Sequence, residues 1–245
     1  MPKLLTDVAR TLAPPKGDRH GPLPPLMLML TVATGLVDAV SYLGLGHVFV
    51  ANMTGNVVFL GFALAGAEGL SALAPIVSMA AFLAGALAGG RFTNRFAAHR
   101  GRLLAITTAL EAVLVAAAAI AATASQGKVT TGVQYTLIVL LGLAMGLQNA
   151  TARRLGVPDL TTTVLTLTLT GLAADSTAAG GQAPRPGRRI LSVLAIFLGA
   201  LVGAVLLLHN KLALTLGLVL VLLAVTSLTA YRLSASNAAW TKPQA

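Results

Sequence analysis

Long stretches of hydrophobic residues dominate the chain and set its class. A membrane-spanning helix needs roughly 20 mainly apolar residues. Six segments meet that length, at residues 26–46, 71–90, 103–124, 133–152, 190–208 and 212–231. The pattern therefore predicts an all-α polytopic membrane protein with six transmembrane helices.

Two further apolar segments are interrupted by polar residues. Segment 48–66 contains an Asn-Met-Thr-Gly-Asn block at 52–56, and segment 160–174 carries six threonines. Leu and Thr also alternate over 165–170, so a short extended piece is an alternative to helix there, as it is over 47–51. These two segments either cross the membrane or dip into it and return.

The distribution of basic residues decides between those topologies. Lys and Arg concentrate in cytoplasmic loops of membrane proteins. With six crossings and an inside N-terminus, 15 of the 17 basic residues lie on the inner side, and only Lys128 and Lys211 lie outside. With eight crossings the split is 10 to 7. We therefore expect six spans, both termini in the cytoplasm, and two re-entrant segments.

The two halves of the chain resemble each other. The stretch beginning Gly35-Leu36 matches the stretch beginning Gly146-Leu147 at an offset of 111 residues, and 85–89 matches 199–203 at an offset of 114. Each copy contains three crossings, so the second is inserted upside down relative to the first. We expect two inverted three-helix repeats, each with one broken or re-entrant segment, an organisation used by transporters.

Several of these stretches also carry a family resemblance. Residues 35–43, 48–56 and 142–150, with the threonine-rich run that follows, are similar to the YoaK-type bacterial family of unknown function. The resemblance covers roughly residues 25–232, and the block at 52–56 is its most distinctive part. It implies a polytopic protein of the bacterial inner membrane and supplies no substrate.

Composition narrows the classes of function. The chain is 56% hydrophobic and 10% charged, with mean hydropathy +0.83, too few charges for a soluble surface. The net charge of +10 accompanies no nucleic-acid motif, so no nucleic-acid partner is expected. Cysteine is absent, and no metalloprotease, nucleophile-elbow, Walker or dinucleotide motif occurs. We expect neither an enzyme nor a cofactor or metal site.

The broken segments supply most of the candidate binding residues. A polar break inside a membrane persists only where it is buried in protein or lines a wet cavity. Asn52 or Thr54 can cap a half-helix, and Gly55 permits a tight turn. In the second segment Asp159 is a candidate N-cap, and Thr162, Thr166 and Thr170 would share one helical face. The predicted substrate or ion site comprises Asp38, Asn52, Thr54, Gly55, Asn56, Gln148, Asn149, Thr162, Thr163 and Thr166.

Two carboxylates fall inside predicted spans. At the helical rise, Asp38 lies roughly 18 Å and Glu111 roughly 12 Å from the cytoplasmic side. Intramembrane acids are costly and mark ion or proton pathways. Asp38, opposite Asn149 in the repeat, is a candidate protonatable group or cation ligand; its alternative is an acid hydrogen-bonded to helix neighbours. Glu111 and His47 are further candidates for proton coupling.

These observations favour a small secondary transporter or channel for a small solute or ion. The alternative is a non-transporting scaffold or sensor that acts through its arginine-rich cytoplasmic face. Repeat 1 covers 26–124 and repeat 2 covers 133–232, with cytoplasmic tails at 1–25 and 233–245. The N-terminal tail is expected to be loosely ordered, or to form a short amphipathic turn on the inner leaflet. The bilayer is the expected partner, and a homo-oligomer is compatible with the sequence.

Overall fold

Helices make up the whole fold. The computed structural model describes residues 2–95, 98–126, 128–235 and 238–242. Within them the α-helices are α1 (Pro2–Leu12), α2 (Leu23–Ala39), α3 (Met53–Leu64), α4 (Leu73–Arg95), α5 (Arg100–Ala124), α6 (Thr131–Leu155), α7 (Thr166–Ala174), α8 (Pro186–Leu208) and α9 (Leu212–Ser234). The described residues contain no strand, so neither candidate extended piece forms one.

Six of these helices are long and apolar enough to cross a membrane, as the sequence predicted. They are α2, continued by a π-helical turn at Val40–Gly44, and α4, α5, α6, α8 and α9. Pro24 and Pro25 lie in the first turn of α2, where a missing N–H costs no helical hydrogen bond. Helices α4 and α6 run on to Arg95 and Leu155, beyond their apolar segments. Hydropathy thus located the spans but not the polar helix ends.

The interrupted segments contain the two short helices α3 and α7. At 1.5 Å per residue they are roughly 18 and 14 Å long, against a hydrocarbon core of about 30 Å. Two local predictions for the second segment were wrong. Helix α7 begins only at Thr166, so Thr162, in a turn with φ of 67°, does not share its face. Asp159 does not cap α7, because Leu165 holds that position.

Two pairs of helices approach closely enough for their backbones to touch. Gly35 of α2 lies against the carbonyl of Ile196, and Gly199 of α8 against the carbonyl of Val32. In the other pair, Gly85 of α4 lies against the carbonyl of Leu143, and Gly146 of α6 against that of Phe82. Small residues at helix contacts allow this close packing in a bilayer. The α2–α8 and α4–α6 pairs are therefore fixed at glycines, while α5 packs on α9 and α6.

Both ends of the chain dock on the helix bundle. Helix α1 replaces the loosely ordered tail expected there: Val8 contacts Gly187, and Asp7 accepts a 3.1 Å hydrogen bond from the Arg188 backbone. At the other terminus, Trp240 packs against Gly21 and Gly101. These contacts hold α1 and the segment around Trp240 on the bundle, although both lie outside the spans.

The glycine crossings predict that adding a single methyl group at the contact will strongly reduce the stability of the fold. Gly146→Ala should destabilise the fold, because its Cβ would overlap the carbonyl of Phe82 in a backbone that cannot move alone. We expect the free energy of unfolding to fall by roughly 2 kcal/mol, as is typical when a packed contact is overfilled. The control is Gly217→Ala in α9, whose new Cβ meets no atom within 4 Å. Thermal unfolding in detergent should show a lower Tm for Gly146→Ala and an unchanged or higher Tm for Gly217→Ala; equal values would contradict the tight crossing.

Candidate functional site

A cavity of about 620 Å³ lies where the two broken segments meet the long helices. Seven of the ten residues predicted for the substrate site line it: Asp38, Asn52, Thr54, Gly55, Asn149, Thr163 and Thr166. Phe59 of α3, Phe82 of α4 and Ile196 of α8 complete much of the wall. Residues more than 100 positions apart in sequence are thereby brought to one polar space between membrane-spanning helices.

Asn149 and Thr163 form the polar wall contributed by the second half. The Thr163 hydroxyl donates a 2.6 Å hydrogen bond to the Asn149 side-chain oxygen. The Asn149 amide donates in turn to the carbonyl of Met145, one helical turn earlier, at 2.8 Å. Both side chains are thus held in fixed orientations by α6, as a preformed site requires.

Asn52 and Gly55 shape the wall contributed by the first half. The Asn52 side chain accepts a hydrogen bond from the Gly55 backbone N–H at 3.3 Å and so caps α3, as predicted. The tight turn predicted at Gly55 is absent, because this residue lies inside the first turn of α3. A Cβ there would come within 2.8 Å of the Phe49 ring. Gly55 therefore makes room for Phe49 to lie over the start of the helix.

Asp38 is a half-buried carboxylate on the α2 wall of the cavity. Its Oδ1 atom is buried and has no hydrogen-bond partner among the described residues. Two of the helix neighbours that could have bonded to it, Thr34 and Ser41, use their hydroxyl protons elsewhere. Thr34 donates to the carbonyl of Leu30, and Ser41 donates to the main-chain carbonyl of Asp38. Asp38 thus lines the cavity and has one carboxylate oxygen that no described residue uses.

The other three predicted site residues lie behind the cavity walls. Asn56 accepts from the Phe49 N–H at 2.9 Å and donates to the Phe49 carbonyl at 2.6 Å, and it also donates to Ser78 of α4 at 3.2 Å. Gln148 donates to Thr34 at 2.9 Å and to Thr162 at 3.0 Å. These amides join the irregular stretches before α3 and α7 to the long helices.

Glu111 and His47 do not lie with Asp38. Glu111 is fully buried in α5, and its Oε1 atom has no hydrogen-bond partner among the described residues. His47 is exposed at the loop after α2, where its ring packs edge-on against Tyr42 with 5.1 Å between ring centroids. Neither residue lines the 620 Å³ cavity.

A second cavity of about 960 Å³ adjoins the first. The two share Phe82, Asn149 and Val164. The second extends past Thr93 to Arg153 and Arg154, at the end of α6. Sequence reasoning did not select Phe82 for the site, because a single apolar residue within a long apolar segment carries no signal of cavity lining.

A cluster of ion pairs holds the second broken segment on α8. Asp159 accepts hydrogen bonds from Arg185 at 2.9 Å and from Arg189 at 3.0 Å, and Arg189 also pairs with Asp175 at 2.8 Å. Arg189 thus links both ends of the stretch that contains α7, and its guanidinium lies over Gly171. A positive charge near the N-terminus of a helix interacts unfavourably with the helix dipole, and the carboxylates of Asp159 and Asp175 offset this cost for Arg189. From the sequence, Asp159 was a candidate helix cap, and its partners Arg185 and Arg189 were only basic residues near the membrane surface.

The fold is that of a polytopic helical membrane protein with a partly polar cavity between its helices. Residues 26–229 match a family described as a protein of unknown function, DUF1275, and the chain belongs to this family. It is also 34% identical over 152 residues to a UPF0700 transmembrane protein, YoaK, from Bacillus subtilis (strain 168). That alignment covers 61% of this chain and 65% of the relative. No solved structure matches the chain.

The Arg189 ion pairs predict an asymmetry between neighbouring arginines. The Arg189 side chain is 10% exposed, whereas that of Arg185 is 43% exposed. Removing one partner of a buried pair costs roughly 3 kcal/mol, whereas an exposed pair contributes about 0 to 1 kcal/mol. Arg189→Gln should therefore lower the Tm in detergent by several degrees and Arg185→Gln by much less. Equal shifts would show that Arg189 does not hold the segment.

Proposed function

We propose that the protein is a small secondary transporter or channel that moves a small solute or ion through a site between its two broken segments. The observation that carries this proposal is the 620 Å³ cavity. It is lined by residues at the starts of both α3 and α7, together with the intramembrane acid Asp38. Polar breaks are tolerated at membrane depth where they line a cavity of this kind.

The helix contacts support two inverted repeats around this site. Gly35 and Gly146 correspond at an offset of 111, and each crosses a partner helix from the other half. Gly203 packs on Leu36 and Ala39, and Gly89 packs on Leu147 and Ala150, which are the equivalent residues 111 positions later. In inverted-repeat transporters, broken helices from the two repeats meet at the substrate site near the bilayer midplane.

The same geometry supports two re-entrant segments. Thr54 and Gly55 at the start of α3 line the same cavity as Thr166 at the start of α7. Both helices are too short to cross, and α3 packs on α4 while α7 packs on α8. In the proposed topology the first segment enters from outside and the second from the cytoplasm. Both termini then lie on the cytoplasmic side of a bacterial inner membrane, in agreement with the positive-inside rule.

The two cavities supply the elements of a pathway. The 960 Å³ cavity reaches exposed residues at the arginine-rich end of α6, and the 620 Å³ cavity contains the proposed site. Phe82, Asn149 and Val164 line both cavities, so a solute moving between them would pass these three residues. In a carrier they would form the inner gate.

A scaffold or sensor is the second candidate, favoured by one observation. Several arginines at the proposed cytoplasmic end have exposed side chains, namely Arg91, Arg95, Arg102, Arg153 and Arg154. Such a surface suits an acidic partner. It makes no use of an internal polar cavity, so the two candidates differ in whether water reaches the centre of the bundle.

Thiol labelling in native membranes tests transport without a known substrate. The chain has no cysteine, so each introduced one is unique. Thr54→Cys in the first cavity and Thr161→Cys in the second should both react with a charged, water-soluble methanethiosulfonate, because both positions are exposed and line cavities.

The matched control is Val113→Cys, whose side chain is 65% exposed but on the apolar surface of α5, where lipid excludes a charged reagent. We expect labelling at 54 and 161 to be at least ten times faster than at 113. If all three positions react as slowly as 113, the centre is closed to water and the scaffold reading replaces transport.

A further inference from the structure

The 620 Å³ cavity has one ionisable side chain among its described lining residues, that of Asp38. No described lining residue is basic. The Asp38 Oδ1 atom is buried without a hydrogen-bond partner among the described residues. A carboxylate inside a membrane bundle is normally paired with a cation or with a polar partner. Because the cavity wall supplies no basic residue, the missing partner would come from the solute.

Thr163 and Asn149 line the same cavity as Asp38 and carry oxygen atoms that can accept hydrogen bonds. Thr163 has one hydroxyl proton, and it is used on Asn149. An Asn149 amide proton is likewise used on the Met145 carbonyl. Lone pairs on the Thr163 hydroxyl and the Asn149 oxygen remain available to a ligand, beside the second Asn149 amide hydrogen and the side-chain donors of Asn52, Thr54 and Thr166. The lining can therefore accept hydrogen bonds from a ligand, and Asp38 is its one acidic group.

The size and the aromatic wall favour an organic ligand over a bare metal ion. A water molecule occupies about 30 Å³ in the liquid, so a cavity of 620 Å³ far exceeds one ion and its ligands. Phe59 and Phe82 line it, and aromatic rings attract organic cations. The described residues contain no group of three His, Cys, Asp or Glu side chains that could hold a metal.

We propose that this cavity binds a small organic ammonium ion, with Asp38 as its counter-ion and Asn149 and Thr163 as hydrogen-bond acceptors. The inference rests on the proposed function, because it names the class of solute for the same site. The ammonium group would lie at the carboxylate, and its carbon chain would lie against the two phenylalanine rings.

The N-terminal ends of α3 and α7 at the cavity attract anions and so oppose the binding of a cation. Their partial charge is smaller than that of an ionised carboxylate. A helix N-terminus carries about half a positive charge. At α3 that end is already capped by the Asn52 oxygen, whereas α7 begins without a side-chain cap. An anion held at α7 would share the cavity with the full charge of Asp38. The carboxylate therefore favours a cation.

Three ligands of similar size but different charge test the proposal on the unaltered protein. Purified wild type is heated with butylammonium, butanamide or butyrate, with sodium and potassium chloride as ionic-strength controls. A ligand at concentration c that binds only the folded state stabilises it by RT ln(1 + c/Kd), so the Tm rises with the logarithm of the ligand concentration once that exceeds Kd. Butylammonium should raise the Tm in this way, with a fitted Kd at least tenfold lower than that of butanamide or butyrate.

Variants then assign the charge preference to Asp38. Asp38→Asn should weaken butylammonium binding at least tenfold, and Asp38→Glu should retain the preference for butylammonium over butanamide. The control Glu68→Gln removes an equal charge from an exposed turn and should bind as wild type does. If Asp38→Asn fails to fold, the wild-type comparison of the three ligands still decides.

Each other result overturns the proposal. A Tm increase with butyrate would indicate an anion site at the helix ends. An equal response to butanamide would mean that charge is not recognised, and a response to sodium or potassium alone would indicate an inorganic ion. No response to any ligand would also remove the ammonium class. The labelling of Thr54→Cys and Thr161→Cys does not depend on any of these results. The proposed ligand class can therefore be wrong while the proposal of transport remains supported.

Discussion

The contact of backbone with backbone at two glycine crossings is the constraint on which the structure depends. Within a bilayer, apolar side chains gain little by leaving lipid, so close packing and polar contacts hold helices together. Gly35 with Gly199, and Gly85 with Gly146, bring α2 to α8 and α4 to α6 with no side chain between them. These four helices supply Asp38, Ile196, Phe82 and Asn149 to the cavity, so the crossings also set the positions of its walls.

The irregular backbone between the helices needs its own partners, and buried polar side chains supply them. Asn56 satisfies both the N–H and the carbonyl of Phe49. Gln148 binds Thr162 in the turn before α7, and Arg189 pairs with acids at either end of the α7 segment. An unsatisfied polar group costs several kcal/mol in a hydrocarbon environment. These interactions allow the chain to leave helical geometry inside the bundle. The cavity is lined by the non-helical stretches before α3 and α7, so it depends on these interactions.

The sequence predicted the parts of this fold that follow from local chemistry. The six spans follow from hydropathy, and the Asn52 cap follows from the preference of asparagine for that position. Seven candidate residues were found by asking which polar groups could survive at membrane depth, and they line one cavity. What local chemistry could not predict were contacts between distant residues. Asp159 resembled a helix cap because its partners, Arg185 and Arg189, are 26 and 30 residues away. Likewise, Asn56 and Gln148 are polar side chains of the kind that line binding sites. Only their hydrogen bonds in the structure show that they lie behind the cavity walls and hold the irregular stretches in place.

The central claim is that both broken segments face one shared space. The most direct measurement is cross-linking of a Thr54→Cys, Thr166→Cys pair in native membranes with a short bifunctional thiol reagent. Both residues line the same cavity, and no native cysteine competes. If the two segments share the cavity, this pair should cross-link efficiently within one chain. Thr54→Cys paired with Gln182→Cys, an exposed position beyond α7, should not cross-link. If both cysteines at 54 and 166 react singly but never cross-link, the two segments do not share a site.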